Sequence, residues 1–303
     1  MSTQITPDIA GDLAGAGGRA EAPRFETIEA RPVSAALGAE IHGADLSQEL
    51  SDGQFAEIQS ALAHFGVIFF RGQSLTPERH IAFAERWGPI NVNRFFRPVA
   101  GYPMIAEVLK EPQQVTNIGG GWHTDHSYDR APALGSILYA HEVPAVGGDT
   151  LYASMHLAYE TLSDGLKATL EGLRARHSSR HVFGAAAYEN DTTTEGRTGN
   201  PELAVQDAVH PVVIRHPGSG RKALYVNPGF TLGFEGWSEA DSKPLLDYLY
   251  AHATRPEFLC RFRWEKGSVA MWDNRATWHY ALNDYRGERR RMHRITVEGV
   301  PLG

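Results

Sequence analysis

Beyond Gly88 the chain is written in short apolar runs separated by long polar connections, and this pattern restricts its architecture more than any other feature. Residues 104–109, 134–143, 150–153, 212–216, 223–226, 259–264 and 268–272 each have the length and composition of a β-strand, and 290–298 closes the chain as an alternating one. A wholly apolar run at 67–70 reads as a buried strand, after short β-like runs over 25–46. Helical signals collect elsewhere. Ser51-Asp52-Gly53-Gln54 has capping-box form ahead of Phe55, Ile58, Leu62 and Phe65 at helical spacing. Thr76-Pro77-Glu78 opens a second helix bearing Phe83 and Trp87, and further helical text lies at 156–174 and 238–253. Many strands with helices as additions predict a mainly β fold with a double-stranded β-helix (jelly roll) core, not an α/β sheet. The Asn-, Thr-, Glu- and Gly-rich stretch 184–207 is long enough for a lid.

The length of 303 residues suits one large domain, expected over 24–303, preceded by a mobile tail over 1–23 too poor in apolar residues to offset its ordering entropy. A net charge of −7 without dense Lys/Arg runs argues against nucleic acid as a partner. Cys260 is the only cysteine, which rules out an intramolecular disulfide and a thiolate cluster and suits a reducing cytoplasm. No run approaches the roughly 20 apolar residues that span a bilayer, and no signal-like start is seen, so a cytoplasmic protein without membrane partners is expected. A small organic acid is the expected partner, together with further copies of the chain in a homo-oligomer.

Gly119-Gly120-Gly121-Trp122-His123-Thr124-Asp125 sets an imidazole and a carboxylate two residues apart, and alternate side chains of an extended segment share a face. Alone such a pair is weak, since 14 histidines and 36 acids generate it by chance. A third ligand is offered by His279, read as following a buried strand directly. Two imidazoles and one carboxylate leave three metal positions open, which suits Fe(II) binding a chelating cosubstrate and oxygen, although zinc accepts the same donors. In the closing strand Arg290, Met292 and Arg294 share a face. Solvent is the ordinary reading of such charges, yet Ile295 and Val297 occupy the opposite face, and an interior anion reconciles the two.

These segments together resemble the taurine dioxygenase (TauD/TfdA) family of Fe(II)/2-oxoglutarate-dependent dioxygenases. The family's Trp-His-x-Asp, Gly-Gly-Asp-Thr, Trp-Asp-Asn-Arg…His and Arg-rich closing strand correspond to Trp122 to Asp125, Gly147 to Thr150, Trp272 to His279, and Arg290 to Arg294. The resemblance implies iron on His123, Asp125 and His279, with Thr150 and Arg290 on the distal carboxylate of 2-oxoglutarate. It also places Arg294 toward the substrate's anionic group and Phe183 and Phe230 in the substrate wall. The implied reaction consumes O2 and 2-oxoglutarate, releases succinate and CO2, and hydroxylates a carbon. Asp125 in the ligand set argues against halogenation, which needs that position for chloride.

The chain departs from the taurine pattern at three places. Asn93 stands for a substrate-binding His, Phe96 for a Tyr, and Gly119 for an Asn. Each change removes a polar contact, so taurine is disfavoured and an acid with a hydrophobic body is expected: a sulfonate, sulfate ester or carboxylate. A zinc hydrolase on the same ligands, or a non-catalytic acid-binding β-barrel, are the rival readings.

Overall fold

The computed structural model describes residues 23–189 and 197–302. Except for Pro23, the tail expected over 1–23 lies outside the described residues, as does part of the 184–207 stretch. The core is two β-sheets packed face to face. The larger has nine strands, with Val269–Asp273, Gly135–Glu142 and Arg290–Val297 adjacent at its centre. Facing them are Leu259–Phe262, Thr150–Ser154 and Thr277–Ala281, paired antiparallel in that order. Phe69 of the large sheet stacks on Phe262 of the small one at 3.9 Å between ring centres, and Tyr152, Leu138, Trp272 and Met292 share the same buried cluster. The jelly-roll expectation therefore holds, and its reason is visible at Val269 to Trp272, where both faces of the strand are covered and the text is a continuous apolar run.

Helices cover the outside. Asp52–Phe65 lays Phe55, Ile58, Leu62 and Phe65 on the outer face of the large sheet. Ser51 caps it by accepting from the Gln54 N–H, but the Gln54 amide donates to the Gly43 carbonyl, so the reciprocal half of the capping box does not form. Pro77–Glu85 starts as expected on a Thr76 cap. Glu239–Ala253 turns Leu246 and Leu249 fully inward against a second apolar cluster that includes Met155, Ala158, Leu170 and Trp278, with Leu245 half-buried. None of the described helices is long and apolar enough to cross a membrane.

One whole small sheet had no sequence signal: Arg174–Ser178 at its centre, flanked by Asp207–Pro211 and Thr231–Phe234. Their text is short and either polar or broken by Pro or Gly, and only pairing makes them strands. The 184–207 stretch thus ends inside this sheet and contains a short helix, Ala185–Glu189, and a 3-10 turn, Pro201–Leu203. A further correction concerns His279, which sits in the middle of its own strand, Thr277–Ala281, instead of just past one. A tight turn at Asn274 reverses the chain between two strands that belong to different sheets.

Candidate active site

His123 reaches the barrel mouth on an extended segment that docks on Thr277–Ala281 as an isolated antiparallel bridge, His123 opposite His279. The Ala281 N–H extends this pairing by donating to the Gly119 carbonyl at 3.0 Å. Gly119 has φ +77, a left-handed conformation open to glycine and tolerated by asparagine, and so accommodates either residue at this position. Two residues past His123, the chain turns sharply. His126 takes φ 59, held by its Nδ1 on Asp129, and this turn aims Asp125 back toward the two histidines. Thr124, pointing the other way, donates to the Asn274 carbonyl at 2.6 Å and ties the segment to the turn that precedes His279.

The ligand-bearing atoms of His123, Asp125 and His279 all lie within 4.8 Å of one another. Each histidine Nε2 stands 3.8 Å from a different oxygen of Asp125. The donor set fits a divalent ion. His123 Nδ1 is 2.8 Å from the Gly121 carbonyl, so that nitrogen carries the proton and Nε2 keeps its lone pair for a metal. Burial, aided by His123, pushes the His279 imidazole well below its ordinary value and leaves it neutral. Burial alone would raise the Asp125 carboxyl, but the neighbouring Arg294 guanidinium leads the charges that outweigh it and hold the group well below the usual carboxylate range. Ser136, from the large sheet, donates to Asp125 Oδ2 at 2.8 Å and fixes the carboxylate plane.

The three side chains line one wall of a cavity of about 580 Å³. Arg290 lies in it almost wholly buried, and its Nε and Nη2 have no hydrogen-bond acceptor among the described residues. Thr150, also lining the cavity, accepts from the Trp264 indole N–H at 2.9 Å, which leaves the hydroxyl proton free to point elsewhere. A buried guanidinium with idle donors beside a donor hydroxyl is a receptor for a carboxylate. Both strand arginines are thus interior, not on a solvated face. Arg289 and Arg291, on the other face, pair with glutamates: Glu111 and Glu142, and Glu107.

Arg294 differs from Arg290. Its Nη1 donates to Asp125 Oδ1 at 3.3 Å and its guanidinium lies 4.7 Å from the centre of the Phe96 ring, while Nε has no partner among the described residues. Phe96, Phe183 and Phe230 belong to the apolar part of the wall; Phe183 stacks on Phe95 at 4.3 Å, and Phe230 meets the His123 ring in a T-shaped contact at 6.3 Å. Asn93 also lines the cavity, but its Oδ1 is spent on the N–H groups of Phe95 and Phe96, both at 2.9 Å. That contact shapes the loop carrying Phe96.

The family profile for taurine catabolism dioxygenases, TauD, TfdA family, matches residues 29–296. The chain belongs to the TauD/TfdA family. An alpha-ketoglutarate-dependent sulfate ester dioxygenase from Pseudomonas putida is 37% identical over 287 residues, spanning 94% of each chain. The alpha-ketoglutarate-dependent 2,4-dichlorophenoxyacetate dioxygenase of Cupriavidus pinatubonensis is 32% identical over 89% of this chain and 98% of its own length. Among solved structures, a taurine dioxygenase from Burkholderia xenovorans superposes with a TM-score of 0.76 at 38% identity, covering 90% of this chain and 92% of that one. This TauD/TfdA chain is accordingly a 2-oxoglutarate-dependent dioxygenase.

Several neighbours of the site escaped the sequence reading of this TauD/TfdA enzyme. Ser136 had no signal, because nothing local distinguishes a serine on a buried strand that faces a carboxylate. Trp264 and Tyr152 had one. Trp264 continues the inward stripe of Cys260 and Phe262, and Tyr152 follows Thr150 by two residues on one face.

Proposed function

We propose that residues 24–303 form one catalytic domain that hydroxylates an anionic, amphipathic substrate. In this reading iron(II) is held by His123, Asp125 and His279, and the distal carboxylate of 2-oxoglutarate by Arg290 and Thr150. The observation that carries this reading is the pair of idle donors on buried Arg290, in the same cavity as a two-histidine, one-carboxylate donor set. A zinc hydrolase has no use for that guanidinium. Iron, when bound with the cosubstrate, supplies oxygen activation, so that one C–H bond, one O2 and one 2-oxoglutarate become an alcohol, succinate and CO2.

The chain's own residues orient and exclude. Arg290 and Thr150 fix one end of the cosubstrate; the two imidazoles, one locked by the Gly121 carbonyl, fix where its keto acid end is met. Phe96, Phe183 and Phe230 exclude water and hold an apolar body beside His123. Arg294 supplies the cation for the substrate's anionic group through its idle Nε, while its Nη1 stays on Asp125. With Asn93 turned to backbone contacts and Phe96 and Gly119 bringing no hydrogen-bonding side chain, taurine's ammonium meets few acceptors, and an unpaired buried charge costs several kcal/mol.

The similarity to sulfate ester and aryloxyalkanoate dioxygenases supports a sulfate ester, sulfonate or carboxylate with a hydrophobic body. Hydroxylation at the carbon bearing a sulfate ester oxygen collapses to an aldehyde and free sulfate. The test is succinate release under air with Fe(II) and 2-oxoglutarate, across alkyl sulfates, alkyl and aryl sulfonates, aryloxyacetates and taurine. Coupled turnover should rise with apolar length, by up to about 0.8 kcal/mol per buried methylene. Efficient turnover of taurine and none of the apolar acids overturns the substrate assignment.

A further inference from the structure

Tyr152 is fully buried, lines the cavity, and its phenol oxygen has no hydrogen-bond partner among the described residues. Such a hydroxyl is expensive to leave idle, so an unpaired one facing a cavity implies an acceptor brought by a ligand. Its position narrows which ligand. Tyr152 lies directly across the sheet from His279 and two residues from Thr150 on the same face of one strand. Packing fixes its ring against Phe69 at 5.7 Å and Trp272 at 5.8 Å, so the hydroxyl cannot swing out to solvent. Arg290, with its idle Nε and Nη2, is close enough to act on the phenol electrostatically, as is Asp125 from the metal-ligand side.

The phenol carries one O–H donor, and its ring is held by packing on that cavity wall. Donors therefore surround this end of the cavity: the Arg290 guanidinium, the Thr150 hydroxyl released by Trp264, and the Tyr152 hydroxyl. A carboxylate offers about four lone-pair sites and can take all three at once.

We propose that Tyr152 is a third anchor for 2-oxoglutarate, its phenol O–H donating to the distal carboxylate that Arg290 and Thr150 also hold. This rests on the cosubstrate reading given above. It makes the Tyr152 hydroxyl a determinant of which 2-oxo acid the enzyme accepts: one with a second carboxylate at the far end, over one ending in a methyl group.

The experiment is calorimetric titration of the anaerobic, Mn(II)-loaded full chain with 2-oxoglutarate and, separately, with 2-oxobutanoate, which has the same chelating end and no distal carboxylate. Tyr152→Phe keeps the ring and its packing. It should raise the Kd for 2-oxoglutarate about ten- to a hundredfold and leave that for 2-oxobutanoate within about twofold. Equal weakening of both ligands would show that the hydroxyl serves the chelating end or the packing, and an unchanged Kd for 2-oxoglutarate would show that it serves nothing there; either overturns the proposal. Arg290→Ala is run alongside. If it too leaves 2-oxoglutarate binding unchanged, the cosubstrate reading fails as a whole; if it weakens binding and Tyr152→Phe does not, only the role of Tyr152 fails.

Discussion

His123 and His279 exchange both backbone hydrogen bonds, the His123 N–H to the His279 carbonyl at 3.2 Å and the His279 N–H to the His123 carbonyl at 2.8 Å. The two rings are thereby held with centres 4.1 Å apart before any ion arrives. A metal site assembled on a hydrogen-bonded pair is preorganised, because the backbone, not the ion, has met the cost of bringing the two segments together.

That geometry depends on Gly229, whose absent Cβ would sit 2.8 Å from the Cβ of His123. Gly229→Ala should push the His123 segment off its bridge. We expect metal affinity to fall about 10- to 100-fold, as for other supports of a ligating histidine, with a fold loss of about 1–3 kcal/mol. Mn(II) titration followed by electron paramagnetic resonance reads the first and urea unfolding the second. Unchanged affinity would mean that the loop yields and the histidine does not.

Arg290 and Arg294 should separate in their effects. Loss of a charge-assisted hydrogen bond to a buried carboxylate costs about 1.5–3 kcal/mol, so Arg290→Ala should raise the 2-oxoglutarate KM by tens to hundreds of fold. Arg294→Ala should change that KM far less and raise the KM for the organic acid instead. It also strips Asp125 of the guanidinium on Oδ1, so kcat should fall with it. Steady-state kinetics with each substrate varied in turn distinguishes the two; equal small effects would count against both assignments.

Asp273 holds the turn before His279. Its oxygens accept from Arg275 Nε at 2.9 Å and Nη2 at 2.6 Å and from His216 Nε2 at 2.9 Å, all buried. Asp273→Ala leaves a guanidinium without its acceptor in the interior and should destabilise the protein by about 3–5 kcal/mol. Denaturant unfolding measures this; a loss below about 1 kcal/mol would show that water replaces the carboxylate.

Acid sensitivity should come from buried histidines away from the metal site. Burial is the leading cause that brings His80, His156 and His177 each down to about 3, from an ordinary value of 6.5. Between those values the unfolded chain binds protons that the folded one does not, so stability is full above about pH 6.5 and falls as pH drops toward 3. Each ring contributes up to about 1.4 kcal/mol per pH unit in that window. Melting temperature measured from pH 8 to 4 should decline below about 6.5, and His80→Phe should make the decline shallower. A flat profile would place the three rings in contact with water.

The sequence alone determined the β class, the two amphipathic helices at Ser51 and Thr76, and the three metal-ligand candidates, because these rest on local rules: the period of two, capping chemistry, and motif spacing. It also carried the oddity of Arg290 and Arg294 on a strand whose other face ends in the apolar Ile295 and Val297. What it could not carry was anything that depends on two distant segments meeting. The strands at Arg174–Ser178, Asp207–Pro211 and Thr231–Phe234 have text that is polar or broken by Pro or Gly and exist because they pair. Ser136 reaches Asp125, Trp264 releases the Thr150 proton, and Arg294 splits its donors between Asp125 and the cavity only once the two sheets have closed on each other. Hydrogen-bond satisfaction is a property of the packed interior, and the idle donors of Arg290 and Tyr152 became visible only when every partner available within the described fold had been placed.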